Sequence, residues 1–205
     1  MFITLEGTEG SGKTSQLLPL VEFLRNKGYT VYMTREPGGT SIGEQVREIL
    51  SNFENTEMHP RTETLLFQAA RAQFVEQVIR PRLAEGAIVI SDRYVDSTLA
   101  YQGYGHKQNL KEIKALVNYA AEGLMPDLTI FFNISVETGL ERKKNGDERN
   151  RLDAYPVEFH QRVHKGYLEL IKLEPSRWTI LDANQDKDVV QENLRTIILK
   201  NLQEK

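Results

Sequence analysis

The sequence predicts a doubly wound α/β fold, in which helices cover both faces of one five-stranded parallel sheet to make three layers. Two observations carry this. Five runs of four or five residues are apolar almost throughout, as expected of strands buried on both faces. Longer segments with helix-period apolar residues separate them, so strands and helices alternate. A chain of 205 residues is long enough for one such domain with a full core.

Phe2-Ile3-Thr4-Leu5 reads as the first strand. A helix from about Lys13 to Lys27 follows, and Gly28 is a suitable residue to stop it. Thr30-Val31-Tyr32-Met33 is the second strand, and a loop at Pro37 to Gly39 leads into a helix near Ile42 to Leu50. Arg61 to Glu85 reads as one long helical stretch with a kink expected at Pro81. Ala87-Ile88-Val89-Ile90 is the third strand, with helical segments over Tyr94 to Tyr101 and Leu110 to Glu122. Leu128-Thr129-Ile130-Phe131-Phe132 is the fourth strand, and Val136 to Lys143 is helical. A helix over Pro156 to Leu173, a fifth strand Trp178-Thr179-Ile180-Leu181 and a helix over Val189 to Leu202 complete the pattern. No repeat or linker divides residues 1–205, so they read as one domain. The charged, apolar-poor stretch at about 143–153 reads as a mobile excursion from it.

Composition narrows the function. Net charge is -3, whereas a protein that coats nucleic acid is usually basic, so no nucleic-acid partner is expected. There is no cysteine, which excludes disulfides, thiolate metal sites and a cysteine nucleophile and fits a reducing cytoplasm. Met1 runs straight into a short strand pattern without the features of a signal peptide. No apolar run approaches bilayer length. The expectation is a cytoplasmic protein that does not engage membranes.

Gly7-Thr8-Glu9-Gly10-Ser11-Gly12-Lys13-Thr14 fits G-x-x-x-x-G-K-[ST] between an expected strand and an expected helix, which is the context that the motif requires. Such a loop turns backbone N–H groups toward phosphate oxygens, and the helix N-terminus behind it favours anions. Lys13 is then expected on the β- and γ-phosphates of ATP, and Thr14 on Mg²⁺. Ser15, next at the start of the helix, is also expected at the ATP site. Glu9 is out of character beside a triphosphate, because like charges repel. It should face away from the phosphates, either toward a sugar hydroxyl or into solvent. Asp92 and Arg93 follow the third strand. Beside a phosphate loop, Asp92 suits the metal shell and Arg93 suits an acceptor phosphate. Taken alone, the pair would read as a helix cap and a surface arginine. A phosphate acceptor has a second pKa near ~6 and needs no strong general base. The four histidines show no metal-ligand spacing.

These segments together resemble thymidylate kinase. The resemblance rests on Gly7 to Thr14, Thr34-Arg35-Glu36-Pro37-Gly38-Gly39, Leu65 to Arg71, Asp92-Arg93-Tyr94, Ser97-Thr98 and Ala100-Tyr101-Gln102-Gly103. Arg151-Leu152-Asp153, Phe159-His160, Gly166-Tyr167 and Asp182-Ala183 extend it over the chain. It implies a P-loop kinase that uses Mg²⁺-ATP to convert dTMP to dTDP in dTTP biosynthesis, usually as a homodimer. It also implies roles. Phe67 stacks on thymine and Arg71 reaches its O4. Thr98 and Gln102 line the base edge, and Tyr101 excludes a 2′-hydroxyl. Arg47 and Arg93 hold the acceptor phosphate, with Glu36 and Pro37 in the loop around it. Glu9 takes the sugar 3′-hydroxyl, while Arg142 and Ala183 to Gln185 flank adenine. From the residues alone, Phe67 and Arg71 would read as a core aromatic with a cation–π arginine.

Some members of the family carry an arginine in the P-loop, where this chain has Thr8, Glu9, Gly10 and Ser11. Arg149 and Arg151, in the excursion at 143–153, are therefore expected to supply catalytic charge. Two rivals compete with this reading. Another nucleoside monophosphate kinase would lack the Phe67, Arg71 and Tyr101 set. A P-loop switch would need a water-positioning group and an effector surface instead of an acceptor-phosphate site.

Overall fold

The computed structural model describes residues 1–144 and 151–203. Its sheet has strands β1 (Phe2–Glu6), β2 (Val31–Arg35), β3 (Ile88–Asp92), β4 (Leu128–Asn133) and β5 (Trp178–Asp182), all parallel, in the order β2-β3-β1-β4-β5. The helices are α1 (Lys13–Asn26), α2 (Ser41–Ser51), α3 (Pro60–Phe74), α4 (Arg80–Ala84), α5 (Val95–Thr98), α6 (Leu110–Ala121), α7 (Val136–Lys144), α8 (Val157–Leu173) and α9 (Lys187–Gln203).

Strand side chains alternate between two cores. Ile3, Leu5, Ile88, Ile90, Ile130 and Phe132 pack under α1 and α9 with Leu20, Leu24, Leu194 and Ile198. Phe2, Val89 and Phe131 face the other way, onto Phe74, Ile113, Val117, Val163 and Tyr167 from α3, α6 and α8. This period of two on a sheet covered twice explains the continuous apolar runs. Among the described residues, no helix is long and apolar enough to cross a membrane.

The structure departs from the expected elements in two instructive ways. Four strands run on past their expected apolar ends to Glu6, Arg35, Asp92 and Asp182, and β4 adds Asn133. Backbone pairing sets a strand's length, and polar side chains are admissible at the carboxyl edge because that edge opens on a cleft. The stretch expected as one helix from Arg61 to Glu85 is broken by a π-helical segment at Val75–Ile79. Pro81 has no N–H to return to the preceding turn, and a wider turn just before it accommodates the misfit. A second π-helical segment, Leu99–Gly105, continues α5 and carries Tyr101 and Gln102.

Candidate active site

In an order such as this one, the carboxyl edge is cleft where neighbouring crossovers leave on opposite faces, here around β1 between β3 and β4. A cleft of about 1200 Å³ opens there. Residues 7–12 form the turn between β1 and α1, and Lys13 and Thr14 open the helix. Gly12 has φ 87 and precedes α1 with no side-chain cap, and the first turn holds no acidic residue. The leading N–H groups of α1 are thus left for an anion. At Gly10, φ is 67 and an added Cβ would overlap the carbonyl oxygen of Gly139 in α7, so only glycine fits.

Lys13 is buried, and its Nζ donates to Gly7 O at 2.9 Å, Thr8 O at 3.2 Å and Ser11 Oγ at 3.0 Å. Burial, with Arg93 adding to it, lowers Lys13 to about 8, against the pull of Asp92 and Glu9. Thr14 Oγ1 donates to Asp92 Oδ2 at 2.9 Å, while Asp92 Oδ1 is buried with no hydrogen-bond partner. An unsatisfied buried carboxylate oxygen beside a threonine hydroxyl fits a hard cation such as Mg²⁺. Among the described residues no group of three His, Asp or Glu could hold a metal alone, so the remaining ligands would be phosphate oxygens and water.

Glu9 turns toward Arg93 and Tyr101. Its Oε1 accepts from Arg93 Nη2 at 2.9 Å and from the Tyr101 hydroxyl at 2.8 Å. Burial works to raise its pKa, but Arg93 and Lys13 overcome it and hold the carboxyl at about 2. Arg93 itself spans the middle of the cleft. Its Nη1 donates to Gly7 O at 2.9 Å, and its guanidinium lies 4.9 Å from the Tyr101 ring centre.

Beyond Arg93 the cleft continues into its other half, a second chamber. Phe67, Thr98, Tyr101 and Gln102 line it, with Glu36, Pro37, Arg47 and Arg71 at its floor and rim. The Glu36–Pro37 peptide is cis. Arg47 Nη1 donates to Pro37 O at 3.0 Å. Arg71 is 1% exposed, and all five of its N–H donors meet protein acceptors. Nε and Nη2 grip the Glu36 carboxylate, with Nη2 at 2.6 Å, and Nη2 also reaches Tyr94 O at 3.0 Å. Nη1 donates to Gln68 Oε1 and Thr98 Oγ1, each at 2.9 Å. A base carbonyl must share or displace one of these bonds to reach the guanidinium. At the opposite end, Arg142 Nη1 donates to Ala183 O at 3.2 Å, and Arg142, Ala183 and Gln185 line the cleft beside Gly10 to Ser15.

Two expected catalytic residues are not gathered here. Arg149 lies outside the described residues. Arg151 is buried away from the cleft lining, where Nε donates to Leu50 O at 3.0 Å, Nη1 to the Tyr155 hydroxyl at 2.9 Å, and Nη2 to Glu63 Oε2. Glu63, fully buried, was not singled out in the sequence. Its other oxygen takes Gln102 Nε2 at 2.9 Å and lies 3.0 Å from His106 Nε2. Glu63 thus joins the chamber wall to the segment Arg151–Ala154. Arg35 and Ser97, which stand in the resemblance motifs without an assigned role, also line the cleft, as do Lys143 and Lys187.

A phosphate loop that faces a second, arginine-lined chamber is of use where two phosphorylated ligands meet, and this defines the chain as a P-loop phosphotransferase. Comparison with known proteins makes that specific. The model of the family described as "Thymidylate kinase" matches residues 5–194. A thymidylate kinase of Roseiflexus sp. (strain RS-1) is 48% identical over 210 residues, covering 97% of this chain and 93% of the relative. One from Exiguobacterium sp. (strain ATCC BAA-1283 / AT1b) is 45% identical over 204 residues, covering 100% and 96%. The crystal structure of thymidylate kinase from Ehrlichia chaffeensis superimposes with a TM-score of 0.78 at 32% identity, covering 97% of this chain and 98% of that one. The chain belongs to the thymidylate kinase family. It is an ATP-dependent phosphotransferase that converts dTMP to dTDP, a step of nucleotide biosynthesis.

Proposed function

We propose that the two ends of this cleft divide the reaction between them. ATP lies on Gly7 to Ser15, with adenine between Arg142 and Ala183 to Gln185. dTMP lies in the second chamber, its base against Phe67 and its edge facing Arg71, Thr98 and Gln102. Tyr101 and Glu9 meet the deoxyribose, and Arg93 and Arg47 hold the acceptor phosphate in the loop of Glu36 and Pro37. An oxygen of that phosphate bonds to the γ-phosphorus as the bond to the β,γ-bridging oxygen breaks, leaving ADP and dTDP. The single observation that carries this reading is Arg93, which contacts the phosphate loop at Gly7 on one side and the chamber residue Tyr101 on the other. It is a cation where charge passes between two phosphates.

The protein's work is positioning and neutralisation, because the attacking phosphate is already largely dianionic at neutral pH. Lys13 supplies positive charge at the transferring group. Thr14 and Asp92 would hold Mg²⁺, which would supply further charge neutralisation at the phosphates. Lys13→Ala and Asp92→Asn are each expected to slow the chemical step by about 10²-fold or more. Single-turnover phosphoryl transfer tests this, and a rate within a few-fold of wild type removes that residue from the mechanism.

We also propose a homodimer. Supporting it are Ile42 and Ile49 of α2 and Leu65 of α3, each about half exposed on neighbouring helices, an apolar surface suited to a second copy. Sedimentation at micromolar concentration tests this, and a monomer there contradicts it.

A further inference from the structure

Glu6 ends β1 immediately before the phosphate loop, is fully buried, and has no part in the chemistry above. A buried carboxylate needs donors. Oε1 accepts the Tyr94 backbone N–H at 2.9 Å, and Oε2 accepts the Ser97 hydroxyl at 2.6 Å and the Tyr167 hydroxyl at 2.8 Å. The same two hydroxyl oxygens stand behind Arg93, whose Nη1 points at Ser97 Oγ at 3.2 Å and at the Tyr167 oxygen at 3.4 Å. A hydroxyl has one proton and two lone pairs. With both protons drawn to Glu6, both oxygens offer lone pairs to the guanidinium. One carboxylate thus sets the donor and acceptor sense of the shell behind Arg93.

The backbone gives an independent observation. Arg93 has φ 70, in the left-handed region that residues with a Cβ disfavour. Two adjacent residues of β1 hold this turn. Arg93 N donates to Leu5 O at 3.0 Å, and Tyr94 N donates to Glu6. The helix that follows, α5, has no side-chain cap from Tyr94. Glu6 caps it from the sheet instead. The end of β1 therefore imposes both the backbone conformation of Arg93 and the polarity of its surroundings.

We propose that Glu6 is a positioning residue for phosphoryl transfer, which fixes the strained Arg93 turn and, through Ser97 and Tyr167, aims the guanidinium at the phosphate of the nucleoside monophosphate. This rests on the assignment of Arg93 to the acceptor phosphate. Burial, reinforced by Asp96 and opposed by Arg93, pushes the Glu6 carboxyl up to about 7, so the test belongs at pH 8, where it is ionised.

Glu6→Gln keeps the shape, but its amide brings protons to a place that receives them, so the hydroxyls must turn theirs toward Arg93. The experiment is calorimetric titration of dTMP and of ATP into wild type, Glu6→Gln, Arg93→Ala and the double variant. Glu6→Gln is expected to weaken dTMP by about tenfold or more, the scale of a hydrogen bond to a charged group, with ATP affinity within about twofold. In the Arg93→Ala background it should weaken dTMP no further. An equal loss in that background, or an equal loss for ATP, makes Glu6 merely structural and overturns the proposal. Wild-type dTMP affinity in Arg93→Ala overturns the assignment of Arg93 itself, and the proposal with it. If Glu6→Gln does not fold, Tyr167→Phe carries the same cycle, since it removes one oxygen and keeps the ring. Its expected loss of dTMP affinity is a few-fold in the wild-type background and absent in Arg93→Ala, and persistence there overturns the proposal.

Discussion

Arg71→Ala tests whether the floor of the second chamber is built on a buried ion pair. The side chains of Arg71 and Glu36 are 1% and 4% exposed, so the pair is not a solvent-screened surface bridge. Burial pushes the Glu36 carboxyl up, and the Arg71 guanidinium opposes it. Removing the guanidinium strands that carboxylate and also takes donors from Gln68, Thr98 and Tyr94 O. Breaking a buried pair from one side costs about 3–5 kcal/mol. A domain of this size loses about 2–4 °C per kcal/mol, so the melting temperature should fall by roughly 6–20 °C. Scanning calorimetry is the assay. In the variant, the folded-state pKa of Glu36 stands further above its unfolded value. The loss should therefore be largest at high pH and ease as pH falls through the raised folded-state pKa. Adding Glu36→Gln should recover part of it, because a neutral amide is cheaper to bury than a lone carboxylate. A melting temperature within about 2 °C of wild type, or a loss that grows toward low pH, would refute the reasoning.

Two further outcomes follow from the charges in the structure. Burial tends to raise Glu63, but hydrogen bonds from His106, Gln102 and Arg151 outweigh it and hold the carboxyl at about 2, below its ordinary 4.5. Its contribution, on the order of 3 kcal/mol, is then complete above pH 4.5 and lost as pH falls toward 2. Glu63→Gln should flatten the acid side of the stability curve in chemical denaturation, and an unchanged slope would count against the pairing. Lys13, lowered to about 8 by burial and Arg93, regains basicity when phosphates come beside it. ATP binding at pH 8 should take up about half a proton per site and at pH 6 almost none. Calorimetry in buffers of different ionisation enthalpy measures this, and no buffer dependence at pH 8 would sink it.

The phosphate loop was legible because its chemistry is local. Eight consecutive residues set the turn, and a strand before it with a helix after it supply the context. Strand positions were legible from apolar runs, but strand ends were not, because pairing extended them through Ser91-Asp92 and Thr34-Arg35 where hydrophobicity had stopped. The π-helical segments were hidden for a similar reason, since a single widened turn barely disturbs a helical apolar pattern. Long-range polar pairing left no sequence signal. Arg151 looked like free charge in a charged stretch, yet it meets Glu63 from 88 residues away. Glu6 did carry a signal, as a carboxylate closing an otherwise apolar strand is out of place unless something donates to it. The resemblance named the chamber residues, and the structure adds that Arg71 is already fully engaged by protein acceptors.

This cleft, as proposed, moves phosphate from ATP to dTMP more efficiently than to any other common nucleoside monophosphate. The most direct measurement is ADP release from Mg²⁺-ATP, with dTMP, dUMP, UMP, CMP, AMP and GMP each supplied as acceptor. Release should depend on the acceptor, with the highest kcat/KM for dTMP and dTDP formed one for one with ADP. Equal or greater kcat/KM with any of the other acceptors would contradict this, as would ADP release that continues unchanged with no acceptor present.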